Sequence, residues 1–346
     1  MKKLLLTSAL VGSLVSGISA ANAATTVSGN LAISYVATSN DTSGATSGSH
    51  NGFGNESQIN LSATGDLNNG MKYAAGFSWE IDGSETLDQN GASEGTYIEF
   101  ITGGTTIGIG ADRADVIDGI GANYVGYGYS LIDGGPQTSL VNTSNNEPTG
   151  NYGFNIKQDF GGGNKVSFYY APNAVLSGAI KNGRDIHNGT TKTSIDGGES
   201  AYNIVYTGKL GGANIKAGYN QVTGAATYSD RTGSGVAADY TIGKTKFGAS
   251  YTKTESTAAT GTAATENTTY QYGIAQAISD TVSVGLTYVD ADTNTASRSN
   301  ETVMIAAVGY NLGPVSVQLQ YKNASDMGGV AGSDATSVGM YVGTKF

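Results

Sequence analysis

The chain has 346 residues, with 28 acidic against 18 basic side chains, a net charge of −10, 52 glycines, 21 tyrosines, four prolines and no cysteine. An acidic balance of this size disfavours nucleic acid, and the lack of cysteine excludes both a disulfide framework and thiol catalysis. Only 13% of residues are charged, and abundant glycine and tyrosine with little proline suit many strands joined by tight turns.

In chain order, Lys2 and Lys3 precede the apolar run Leu4 to Ile18, and Ala21-Asn22-Ala23 offers small residues flanking a cleavage point. This pattern predicts a signal peptide over 1–23 and a mature domain over 24–346. Loss of Lys2 and Lys3 takes the net charge from −10 to −12. No later apolar stretch reaches the length of a membrane helix.

The mature sequence alternates apolar and polar residues, the period at which successive strand side chains point to opposite faces. Met71, Tyr73, Ala75, Phe77, Trp79 and Ile81 share one face, opposite Lys72, Ala74, Gly76, Ser78 and Glu80. The pattern recurs at Phe247, Ala249 and Tyr251 against Lys246, Gly248, Ser250 and Thr252. It recurs again at Val315, Val317, Leu319 and Tyr321 against Ser316, Gln318, Gln320 and Lys322.

Strands are predicted to begin near Thr25, Glu56, Met71, Thr96, Thr105, Thr149, Lys165, Glu199, Ala213, Gly235, Thr245, Asn267, Thr281, Glu301, Val315 and Ala335. Short connections such as Lys209 to Gly212 and Gly243 to Lys244 alternate with long ones such as Asn40 to Asn55, Arg113 to Pro148, Pro172 to Gly198 and Lys322 to Asp334. A soluble sandwich has no reason to segregate its connections in this way. The expected fold is therefore all-β: a transmembrane antiparallel β-barrel of 16 strands with short periplasmic turns and long extracellular loops. All four prolines fall in connections, as a hydrogen-bonded wall requires. Tyrosines near strand ends, Tyr73, Tyr97, Tyr152, Tyr206 and Tyr310, are expected to form interfacial girdles.

Alternation places Lys72, Glu80, Glu99 and Lys157 on the lumen wall, with Tyr97 and Tyr169 as inward aromatics. His50 and His187 lie in polar loop sequence, which gives no catalytic arrangement; no enzyme activity and no cofactor are expected. Asp112, Asp115 and Asp118 repeat every three residues without a recognised cation-loop motif, which leaves metal binding open.

With signal, strand count, alternating connections and the terminal strand Ser337 to Phe346, the chain resembles the general porins of Gram-negative outer membranes. The resemblance implies an outer-membrane location, contact with membrane lipid, a homotrimer and passive diffusion of small hydrophilic solutes. It also implies that Phe346 is part of the signal read by the barrel-assembly machinery. The loop 113–148 would fold inward as the constriction, with Arg113 at its root and Asp115, Asp118, Asp133 and Glu147 along it. The chain departs from enteric relatives in lacking a Pro-Glu-Phe-Gly-Gly segment.

From the net charge and the acidic third loop, a net acidic lumen and a weak cation preference are expected. Two rival readings are a substrate-specific solute channel using inward aromatics, and a non-conducting barrel whose loops act as an adhesin. The Ser-, Thr- and Asn-rich lumen face and the absence of a loop binding motif favour the unspecific pore.

Overall fold

The computed structural model describes residues 24–42, 48–82, 92–111, 152–172, 200–223, 230–257, 265–295 and 298–346. The predicted signal peptide 1–23 and the loop 113–148 lie outside the described residues.

Sixteen strands follow in order: β1 (Ala24–Thr42), β2 (Gly48–Asp66), β3 (Lys72–Asp82), β4 (Ala92–Thr102), β5 (Thr105–Ala111), β6 (Tyr152–Gly161), β7 (Asn164–Ala171), β8 (Ser200–Leu210), β9 (Ala213–Thr223), β10 (Asp230–Ile242), β11 (Thr245–Thr257), β12 (Thr265–Ala277), β13 (Val282–Thr293), β14 (Glu301–Asn311), β15 (Val315–Ser325) and β16 (Ser333–Lys345). Each pairs antiparallel with its sequence neighbour, and β1 pairs with β16 from Asn30↔Lys345 to Thr42↔Ser333, so the sheet closes. Closure leaves no edge strand, which is what lets a β structure cross hydrocarbon.

The predicted strand starts agree with the structure to within a few residues except at β2, β4 and β10, which begin earlier. The first hairpin shows why. Residues read as loop from their polarity continue the ladder as far as Asn40↔Gly48, because backbone pairing does not need apolar side chains beyond the bilayer.

The outer face carries the apolar half of the alternation. Val27, Leu31, Ile33, Ile98, Ile107, Ile109, Ile156, Ile204, Leu286, Val308 and Leu319 are exposed on it, as lipid contact requires. Aromatics also lie on the outer face, with outward rings paired across strands at Tyr35–Phe53 (centroids 5.0 Å apart) and Tyr251–Tyr270 (5.3 Å). Near the short turns, Tyr240 and Tyr310 are exposed and the Tyr206 hydroxyl donates to Asn164 Oδ1 at 2.8 Å. Such belts place an apolar body in lipid and a polar tip at the headgroups. Tyr97 is a correction: its exposed neighbours Ile98 and Phe100 face out, so Tyr97 faces the lumen and belongs to no girdle. The Tyr152 side chain is not among those described.

Outward polar groups at the short-turn edge satisfy one another. Thr105 Oγ1 donates to Gln158 Oε1 at 2.6 Å, and Gln158 Nε2 donates to the Asp159 carbonyl at 2.9 Å. Thr245 and Gln276 repeat the arrangement, with Gln276 Nε2 donating to the Ala277 carbonyl at 3.0 Å. Pairing within the face avoids the cost of leaving such groups bare near hydrocarbon.

The last residue completes the seam. Gly29 and Phe346 exchange backbone hydrogen bonds of 2.9 and 3.1 Å, and the Phe346 ring lies over Gly29 on the outer wall. A Cβ at position 29 would come within 2.7 Å of Phe346 Cζ and 2.3 Å of the Gln58 carbonyl oxygen, so only glycine fits beneath the ring. Gly29 thus serves barrel closure and is covered by the terminal ring.

Candidate pore wall

Residues that alternate with the exposed apolar set face inward, and their cross-strand register assembles them into rows. One row runs through Glu99, Gly108, Asn155, Tyr169, Asn203, Asn220 and Gly233, each the direct partner of the next from β4 to β10. Asn155 and Asn203 are completely buried, as is Tyr169 to within 1%. These side chains are therefore packed closely along this part of the wall.

Glycine at 108 allows two side chains to meet across an intervening strand. Asn155 Nδ2 donates to Glu99 Oε1 at 3.1 Å, and a Cβ on Gly108 would stand 2.6 Å from Asn155 Oδ1. The Tyr169 hydroxyl donates to the Gly110 carbonyl at 3.0 Å, fixing the ring against β5. Towards the extracellular end the row adjoins a buried apolar patch of Tyr169, Ala171, Ala201 and Val222, and β13 to β15 carry a second, of Val289, Val303, Ile305 and Ala324. The inner wall is thus less uniformly polar than the sequence suggests.

Nearer the short turns the wall is basic. Lys157, Lys165, Lys209 and Lys216 face inward on β6 to β9, and Lys165, Thr207 and Lys216 are consecutive partners in one row. Lys246 on β11 lies with its Nζ 3.6 Å from Asp239 Oδ2, whose other oxygen accepts from Asn214 Nδ2 at 2.8 Å. Lys72, Arg231 and Lys322 also face inward, while the inward acids among the described side chains are Asp66, Glu99, Asp159, Asp239 and Glu301, Asp159 being the direct partner of Lys165. The expectation of a net acidic lumen therefore does not hold among the described side chains. Whole-chain charge misleads because acids concentrate outside the inner faces; Glu255 and Glu266, for instance, face outward and flank Lys253 at 2.6 and 3.0 Å.

Of the residues predicted for the wall, Lys72, Glu99 and Lys157 face inward as read, and so do Tyr97 and Tyr169. Glu80 pairs with Gln58 in the backbone ladder, but its side chain is not described. Arg113, Asp115, Asp118, Asp133 and Glu147 lie outside the described residues, as does Asp112. Among the described residues no group of His, Cys, Asp or Glu is arranged to hold a metal ion. The later lysines were legible: alternation already puts Lys246 and Lys322 on polar faces.

A family model described as Gram-negative porin matches residues 7–329. The chain belongs to the Gram-negative porin family. No curated protein matches it. Among solved structures it is similar to an anion-selective porin from Comamonas acidovorans, at 15% identity and a TM-score of 0.69, covering 94% of this chain and 100% of that one. It is also similar to OmpT, an outer membrane protein of Vibrio cholerae solved in a trimer form, at 14% identity and a TM-score of 0.65 with the same coverage. At such identities the likeness is one of fold.

As a porin, the protein is a channel-type barrel of the Gram-negative outer membrane. A 16-stranded porin is wide enough to leave a lumen rather than a packed core, so solute passage depends on the wall residues just described.

Proposed function

We propose that this porin is an open diffusion channel for small hydrophilic solutes and ions, without catalytic activity, and that it prefers anions weakly. The observation that carries the ion preference is the inward lysine set Lys157, Lys165, Lys209, Lys216 and Lys246. Fixed charge on a channel wall concentrates counter-ions and raises their flux, whereas charge on distant loops is screened within about 8 Å at physiological salt. The wall therefore argues against the cation preference expected from net charge.

In this reading residues 1–23 are removed on export, Phe346 is presented to the barrel-assembly machinery, and the loop 113–148 folds inward with Asp115, Asp118, Asp133 and Glu147. A homotrimer embedded in outer-membrane lipid is part of the same proposal, supported by the trimer form of the Vibrio cholerae protein. Reversal potentials of purified protein in a planar bilayer under a salt gradient test the ion preference. The expected sign is that of anions, and a cation potential would refute it.

A further inference from the structure

The connection between β15 and β16 folds inward instead of standing above the barrel. It contains a short 3₁₀ turn, Met327–Gly329, and the Met327 side chain packs on Val289, Val303, Ile305 and Ala324. All four are inward residues, alternating with the exposed outward Tyr288, Met304 and Tyr321. Met327 therefore projects over the lumen.

Two neighbouring segments hold the turn there. From below, Glu301, the completely buried first residue of β14, accepts the Gly328 N–H on Oε2 at 3.0 Å. From the preceding connection, Arg298 Nη1 donates to the Gly328 carbonyl at 3.0 Å and the Ser299 N–H donates to the Gly329 carbonyl at 2.9 Å. The connection is also braced internally, with Asp326 Oδ1 accepting the Gly332 N–H at 2.7 Å and Asp334 Oδ1 accepting the Asp326 N–H at 3.1 Å. Gly329 has φ +72, and a Cβ there would stand 2.8 Å from Arg298 Cβ. The latch thus requires glycine both for its backbone and for the close approach of Arg298.

We propose that the Met327–Gly329 turn is a fixed sill that narrows the extracellular side of the pore, and that Arg298 and Glu301 are positioning residues which set the size limit by holding it. This rests on the channel reading above. The buried Met327 contact and the charge-assisted bonds of Arg298 and Glu301 make the turn part of the wall. Larger solutes must pass beside it.

Three variants test this. Met327→Ala trims the projecting side chain and leaves the latch intact, whereas Arg298→Ala and Gly329→Val release the latch. Heat-dependent mobility on a denaturing gel confirms that each barrel is folded. Single-channel conductance should rise by about 1.5-fold, since ion flux follows the open cross-section of the pore. Liposome swelling should accelerate more for trisaccharides than for monosaccharides. Conductance and size dependence no greater than wild type in all three variants would overturn the sill. A wild-type protein that never conducts would instead defeat the channel reading, so the two failures are distinguishable.

Discussion

Leu319 and Ser316 lie on the same strand but on opposite faces, and arginine at each position gives opposite expectations. Leu319 is 51% exposed on the outer wall, between its cross-strand partners Val308 and Met340 and between the levels of Tyr310 and Tyr321. The exposed apolar residues around it belong to the lipid-facing band, so Leu319→Arg brings a charge against hydrocarbon. Near the middle of a barrel's lipid face this costs about 2–4 kcal/mol, a factor of roughly 30 to 900 in the folding equilibrium. Ser316 alternates with the outward Val315 and Val317, faces the lumen and is exposed close to the short turn at Leu312 to Pro314. Among the described residues its hydroxyl makes one long bond, donated to the Gly343 carbonyl at 3.4 Å. Ser316→Arg therefore places its guanidinium in water and should cost less than about 0.5 kcal/mol. Urea titration of both variants in phospholipid vesicles, followed by tryptophan fluorescence of Trp79, measures the difference. Equal losses, or a larger loss at position 316, would refute the assignment of faces.

Replacing Lys157, Lys165 and Lys216 together by glutamate should move the reversal potential towards cations; an unchanged potential would show that these wall charges do not control ion preference. Gly29→Val drives a side chain into the Phe346 ring and the Gln58 carbonyl. Overpacking of this kind costs about 1–3 kcal/mol, and the β1–β16 seam should close more slowly, seen as delayed appearance of the heat-modifiable folded form. Tyr169→Phe removes the 3.0 Å bond to the Gly110 carbonyl, with an expected loss of about 1 kcal/mol in urea titration and little change in conductance.

Much of the barrel was legible because its two governing signals are local. Alternation reports which side of the wall a residue occupies, and turn-forming runs such as Gly211-Gly212 report where a strand reverses. The ends of the strands facing the long connections were less legible. Polar residues such as Ser39 and Ser49 continue the ladder where neither face meets lipid, and no hydrophobic pattern marks them. The wall was legible only residue by residue. Lys157 and Glu99 could be assigned to a face, but the Glu99–Asn155 bond depends on Gly108 lying between them in register, 56 residues separating the bonded pair in sequence. The inward turn at Met327 had no local signal, since its partners Arg298 and Glu301 belong to another connection and another strand.

Recording of purified protein in a planar bilayer under a salt gradient tests the central claim most directly, because it reads conduction and ion preference together. The account predicts discrete insertion steps, an open state that persists at low voltage, and a reversal potential with the sign of anions. Protein that inserts as a folded barrel yet passes no current would contradict it.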